Sequence, residues 1–116
     1  DETTGEELTP LAHGSSRRVF SVQTAEKLQE LLAGVVAEGT GRQAAPSEGT
    51  AAGKTGTAQT GQFRDGEELK NHWFAGFYPA EKPRWTIVVM QDAQTEPEVS
   101  SAAVFARLCD ALSAGE

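Results

Sequence analysis

Apolar residues recur at helical spacing in two stretches of this chain and cluster into strand-like runs in two others. Leu28, Leu31, Leu32, Val35 and Val36 fall on one stripe, with Glu26, Lys27, Gln29 and Glu30 turned away from it. That period predicts an amphipathic helix over residues 22–38. Ser21 or Thr24 can cap its start, and Gly39 or Gly41, in a left-handed conformation, can end it. Trp73 to Tyr78 reads as a strand closed by Pro79, and Trp85 to Gln91 as a second strand rich in β-branched residues. The six residues between them suit an antiparallel hairpin. Val104, Phe105, Leu108 and Leu112 make another helical stripe, predicting a helix over residues 100–113 capped by Ser100 or Ser101.

The remaining segments are polar. Residues 39–53 are rich in Gly, Ala and Pro and read as a connecting loop. Residues 60–72 are polar with an Asp65-Gly66 turn signal, and read as a long excursion between two strands. Residues 54–59, with Thr55 and Thr57, favour an extended form. Residues 1–18 read as an acidic, solvated lead-in in which His13 is a surface histidine, followed by a short extended piece at Arg18-Val19-Phe20. Residues 19–116 then form the folded unit. The order is helix, three strands, helix, so the expected class is α+β, a three-stranded antiparallel sheet flanked by an N-terminal and a C-terminal helix. Both apolar strands carry hydrophobic residues on both faces, which calls for cover on both sides of the sheet.

Composition narrows the chemistry. The chain has 116 residues and a formal net charge of −7, a balance that argues against nucleic-acid binding, which needs clustered Lys and Arg. Cys109 is the only cysteine, so no intrachain disulfide forms, and its apolar helical setting marks it as a small buried hydrophobe. No run of 18 apolar residues is present. The start at Asp1, with no initiator Met and no signal peptide, is what a processed product or an excised piece would show. His13 and His72 lack ligand-spaced neighbours, and Asp65, Glu67 and Glu68 do not form an EF-hand pattern. No metal and no cofactor is expected.

The candidate chemistry lies in Gly53-Lys54-Thr55-Gly56-Thr57-Ala58-Gln59. A phosphate-binding loop needs a glycine five positions before Gly53, where Glu48 stands, and should run directly into a helix. As a strand, the stretch places Lys54 on one side and Thr55 and Thr57 on the other. Gly56 has no Cβ to hold off an approaching ligand backbone. An edge strand of this kind can pair with an extended peptide, and a hydroxyl–ammonium set suits a carboxylate. An ordinary glycine-rich hairpin strand with a surface lysine fits the same residues equally well. Lys54 is also a candidate base if its pKa were lowered.

Lys54-Thr55-Gly56-Thr57-Ala58-Gln59 resembles the third motif of the penicillin-binding proteins, serine D,D-transpeptidases related to the serine β-lactamases. Val35 to Gly41 followed by Ala44 resembles the helix end and Gly-Thr-Gly turn before that strand. Trp73 to Pro79 and Trp85 to Met90 resemble the strands after it. The resemblance runs over roughly residues 19–112 and looks closest to the class B, monofunctional enzymes. It implies a partial β-lactamase/transpeptidase-like fold. It also implies catalytic roles for Lys54 (proton traffic) and Thr57 (a backbone N–H in the oxyanion hole). Lys54, Thr55, Gly56 and Thr57 would bind substrate, namely the carboxylate of a peptidoglycan stem peptide or a β-lactam. An extracytoplasmic, cell-envelope location for the parent protein is implied as well.

Two departures matter. No serine is followed three residues later by lysine, so the nucleophile motif Ser-x-x-Lys is missing. Leu69 stands two residues before Asn71, the sole asparagine, so Ser-x-Asn is missing too. The chain therefore resembles the C-terminal part of a transpeptidase domain, with three of the family's five strands, and is expected to be inactive alone. The rest of the transpeptidase domain would be its natural partner. Without it, the apolar strands should expose a patch or form a homodimer through one. The alternative is a non-enzymatic binding or interaction module that reuses this subdomain.

Overall fold

The computed structural model describes residues 4, 14 and 17–115. His13 and most of the expected lead-in lie outside the described residues. Arg18-Val19-Phe20 joins no strand, and Val19 and Phe20 are exposed.

Helix α1 spans Val22–Ala37, strand β1 Ala52–Arg64, strand β2 Glu67–Tyr78, strand β3 Trp85–Gln94 and helix α2 Ser101–Ala114. A short 3-10 turn occupies Arg42–Ala44. The strands form one antiparallel sheet in the order β1-β2-β3, which is the α+β layout expected from the sequence. Both helices start on serine caps. The Ser21 hydroxyl accepts from the Thr24 N–H, and the Ser100 hydroxyl from the Ala103 N–H, each satisfying an otherwise orphaned donor of the first turn.

Two expectations about local structure need correction. Gly39 and Gly41 end the helix, but neither adopts a left-handed conformation. Both instead donate to the Val35 carbonyl, at 3.1 and 3.0 Å. At Gly39 the chain folds so tightly that a Cβ would sit 2.9 Å from that same oxygen.

The second correction concerns residues 60–72, which form no excursion. The β1–β2 hairpin runs from its root to a two-residue turn at Asp65-Gly66, where φ is 54° and 86°. Two consecutive positive φ values fit the right-handed strand twist that an Asp-Gly pair supplies. Between Gln59 and Phe63 the register slips. The Glu68 carboxylate accepts from the Gly61 N–H at 3.1 Å and from the Gln59 amide at 2.7 Å, and so holds the bulge. These residues are polar because the hairpin arm stands largely in solvent.

The core is built on one face of the sheet. Phe74 of β2 and Phe105 of α2 are fully buried, their rings 4.7 Å apart and tilted by 54°. Gly76 makes that contact feasible, since a Cβ there would meet the Phe105 ring at 2.9 Å. Cys109, Ala102, Val36, Ala44, Ala51 and Tyr78 complete the cluster. Cys109 is buried as the sequence indicated. Ser101 ties α2 to the sheet by donating to the His72 carbonyl at 2.8 Å while accepting from the Gln91 amide at 3.0 Å.

Among the described residues the opposite face is left open, so the cover that the apolar strands call for is met on one side only. α2 lies against β2 and β3, and α1 packs mainly along β1. The register places Lys54, Ala75 and Val88 in one cross-strand row and Gly56, Trp73 and Met90 in the next. Trp73, Val88 and Met90 are 38%, 58% and 44% exposed. Leu28 and Leu31 on the α1 stripe are also exposed, and only Val36 of that stripe is buried. The exposed patch expected of an isolated sheet is therefore present.

Candidate functional site

Strand alternation separates the site residues onto two faces. Thr55 and Thr57 share the α2 side with their partners Phe74 and His72, and Lys54 and Gly56 share the bare side. β1 is an edge strand, so a long side chain can wrap around its open border. Lys54 does this: its Nζ donates to the Thr55 hydroxyl at 3.0 Å and to the Thr55 carbonyl at 3.1 Å. Among the described residues Lys54 forms no ion pair, leaving its charge unneutralised.

The same contact shows which way the backbone faces. Along an antiparallel edge, one residue's N–H and C=O turn to its partner strand and the next residue's turn away. The Ala75 carbonyl faces β1, where a Cβ on Gly53 would stand 2.6 Å from it, and Ala75 pairs with Lys54. Thr55 and Thr57 are therefore the residues whose backbone groups point to the open edge. A cation, two hydroxyls and two strand N–H groups converge on one border, an arrangement suited to an extended ligand that carries a carboxylate.

The glycines divide by function. Gly53 is required internally, because a Cβ would strike the Ala75 carbonyl and the Phe74 ring, both at 2.6 Å. At Gly56 an added Cβ would meet only the Trp73 Cβ, at an ordinary 3.5 Å. Packing within the chain does not demand glycine at position 56.

Behind the edge, on the α2 side, lies a depression of about 130 Å³ lined by Thr40, Gln43, Thr55, Thr57, His72 and Ser100 among others. His72 stands directly across from Thr57, and its Nε2 is buried without a hydrogen-bond partner. Sequence reasoning missed Gln43, His72 and Ser100 as neighbours of the motif. Only the hairpin register brings His72 to Thr57, and only the seating of α2 on the sheet brings Ser100 there. No cluster of three or more His, Cys, Asp or Glu that could hold a metal occurs among the described residues.

The family model described as the penicillin binding protein transpeptidase domain matches residues 10–110. The chain belongs to the penicillin-binding protein transpeptidase family. It is 40% identical over 81 residues to stage V sporulation protein D of Bacillus subtilis, a match that covers 67% of this chain and 12% of that protein. Its fold matches the transpeptidase domain of Burkholderia pseudomallei penicillin-binding protein 3 with a TM-score of 0.74 and 29% identity, covering 94% of this chain and 35% of the other. The D,D-transpeptidase domain of an Eggerthella lenta peptidoglycan glycosyltransferase matches with a TM-score of 0.60 and 36% identity, covering 80% and 21%. This penicillin-binding protein chain thus corresponds to the C-terminal part of a transpeptidase domain, and spans about an eighth of the curated relatives it matches. No helix among the described residues is long and apolar enough to cross a membrane.

Proposed function

We propose that this chain supplies the Lys-Thr-Gly wall of a serine D,D-transpeptidase that cross-links peptidoglycan outside the cytoplasmic membrane. The observation that carries the reading is the Lys54 ammonium, held on the Thr55 hydroxyl across an open strand edge without a carboxylate to neutralise it. The ammonium and the Thr55 and Thr57 hydroxyls bind the carboxylate of a stem peptide or a β-lactam. Gly56 lets the ligand backbone lie against the edge. The Thr57 N–H stabilises the oxyanion that forms when a serine attacks the scissile carbonyl. Lys54 also lowers the cost of placing negative charge beside the nucleophile and assists its proton transfer.

The nucleophile itself must come from outside these residues, because no Ser-x-x-Lys occurs in the chain. The test is incubation with a fluorescent penicillin. The 116-residue chain takes up no covalent label, while a complete domain that contains the same edge does. A labelled adduct on the chain alone would refute the assignment of Lys54 and Thr57 as an incomplete site.

A second reading is favoured by the bare apolar face that carries Trp73, Val88 and Met90. In it the subdomain acts without catalysis, as an interaction module or a homodimer joined through that face. Substituting Val88→Lys separates the two readings. It abolishes self-association and leaves the carboxylate edge intact if the face serves assembly alone.

A further inference from the structure

A second hollow shares no lining residue with the depression behind the Lys54 edge. It is a groove of about 600 Å³ between α1, the segment that leads into β1 and the β2–β3 turn. Volumes of roughly 300–1,000 Å³ are typical of small-molecule sites. Its floor is apolar: Val36, Ala51 and Ala80 are buried, at 4%, 2% and 4% exposure. The Gln29 amide clamps α1 to the turn by donating to the Ala80 and Glu81 carbonyls. The Ala80 N–H donates to the Thr50 carbonyl at 2.9 Å, which fixes the third wall.

The rim sets the charge that fits. Glu26, Glu30 and Glu81 line the groove, and no Lys, Arg or His does. Glu26 and Glu30 are one helical turn apart on α1, and Glu81 lines the same groove from the β2–β3 turn. Lys27 pairs with Glu30 at 2.7 Å from outside the groove, which leaves a net acidic mouth. The two side-chain donors among the lining residues are both committed, Gln29 to the carbonyls and the Thr50 hydroxyl to the Glu81 carboxylate. That last bond, with a backbone hydrogen bond, holds Glu81 below the usual carboxylate range, so it stays ionised at neutral pH. The side chains thus offer acceptors and negative charge at the mouth, apolar surface below, and no free donor for an anion.

We infer that this groove binds a small organic cation, an ammonium or guanidinium on an apolar body, with the body over Val36, Ala51 and Ala80 and the charge between Glu26, Glu30 and Glu81. The site is separate from the carboxylate edge and takes a ligand of opposite charge.

The probe is 4-phenylbutylammonium, titrated into the 116-residue chain and followed by amide NMR, with 4-phenylbutanol and 4-phenylbutyrate as controls. Saturable shifts should gather at Ala33, Gly34, Gly49, Thr50 and Ala51, away from Lys54–Thr57. The ammonium should bind about fivefold tighter than the alcohol, as expected for a few exposed charges, and the carboxylate more weakly than either. Added salt should narrow the ammonium preference. The combined variant E26Q/E30Q/E81Q should bring the ammonium down to the alcohol's affinity without changing the alcohol's. A33W, which fills the groove from α1, should remove both. Equal binding of all three probes, or shifts spread over the bare sheet face, overturns the inference. So does movement of the same amides on raising protein concentration without probe, since a second copy would then be the occupant.

Discussion

Lys54 Nζ sits 3.0 Å from the Thr55 hydroxyl although strand alternation directs the two side chains to opposite faces of β1. The contact exists because β1 is an edge and no strand among the described residues pairs with its outer border. If these groups form one carboxylate receptor, they must be coupled. Lys54→Met and Thr55→Val should each weaken binding of an N-acylated D-Ala-D-Ala peptide by about tenfold, the usual worth of a charge-assisted hydrogen bond. The double variant should lose less than the product of the two. Additive losses in a double-mutant cycle would show that the two side chains act separately.

The two glycines of the motif should behave oppositely. Gly53→Ala forces a Cβ into the Ala75 carbonyl and the Phe74 ring and should destabilise the chain by about 2 kcal/mol or more, as overpacking against backbone does. Gly56→Ala meets only ordinary contact and should change stability by no more than about 0.5 kcal/mol, while weakening peptide binding severely. Urea melts of both variants decide the point. A strongly destabilised Gly56→Ala would mean that this glycine serves the fold.

Phe105 is the wedge that fixes α2 on the sheet. Phe105→Ala should cost about 3–5 kcal/mol, enough to unfold a marginal domain of this size. Phe105→Leu should cost much less. Equal melting temperatures for Phe105→Ala and wild type would contradict the core described here.

Burial, reinforced by the neighbouring Asp110 charge, pushes the Cys109 thiol from 9.0 up to about 11. The folded state therefore holds the neutral thiol at pH values where the unfolded chain already carries a thiolate. This contribution is complete below the unfolded value and is lost as pH rises from about 9 towards 11, on the order of 2 kcal/mol in all. Cys109→Ala removes the titrating group. Its melting temperature should start lower and fall less steeply than that of wild type across the same window. Parallel pH profiles would place the thiol in solvent.

Much of the fold is legible in the sequence, and the gaps have physical causes. The stripe from Leu28 to Val36 marks α1, and the Asp65-Gly66 pair marks the hairpin turn. The sequence allows Ser21 or Thr24 and Ser100 or Ser101 as helix caps, and the fold uses Ser21 and Ser100. The polar run 60–72 hides its strands because a hairpin arm that is exposed over most of its length lacks the apolar alternation that strand recognition depends on. The position of His72 against Thr57 is hidden for the same reason: it follows from a register set by the turn and the Gln59–Phe63 bulge. The apolar pattern of 73–78 and 85–90 signals that the sheet demands cover on both faces. It does not reveal that α1 and α2 leave the face with Lys54, Trp73 and Val88 bare. The lysine, threonines and glycine of the candidate site are visible as a motif, while their convergence on one open edge is a property of the fold.

The most direct test of the carboxylate edge is an amide NMR titration of the 116-residue chain with an N-acylated D-Ala-D-Ala peptide and its C-terminal amide. The free acid should shift Lys54, Thr55, Gly56 and Thr57 together along one saturable curve, and the amide should shift them weakly. No response at these four residues, or the same response to acid and amide, would contradict the claim that this edge reads a carboxylate.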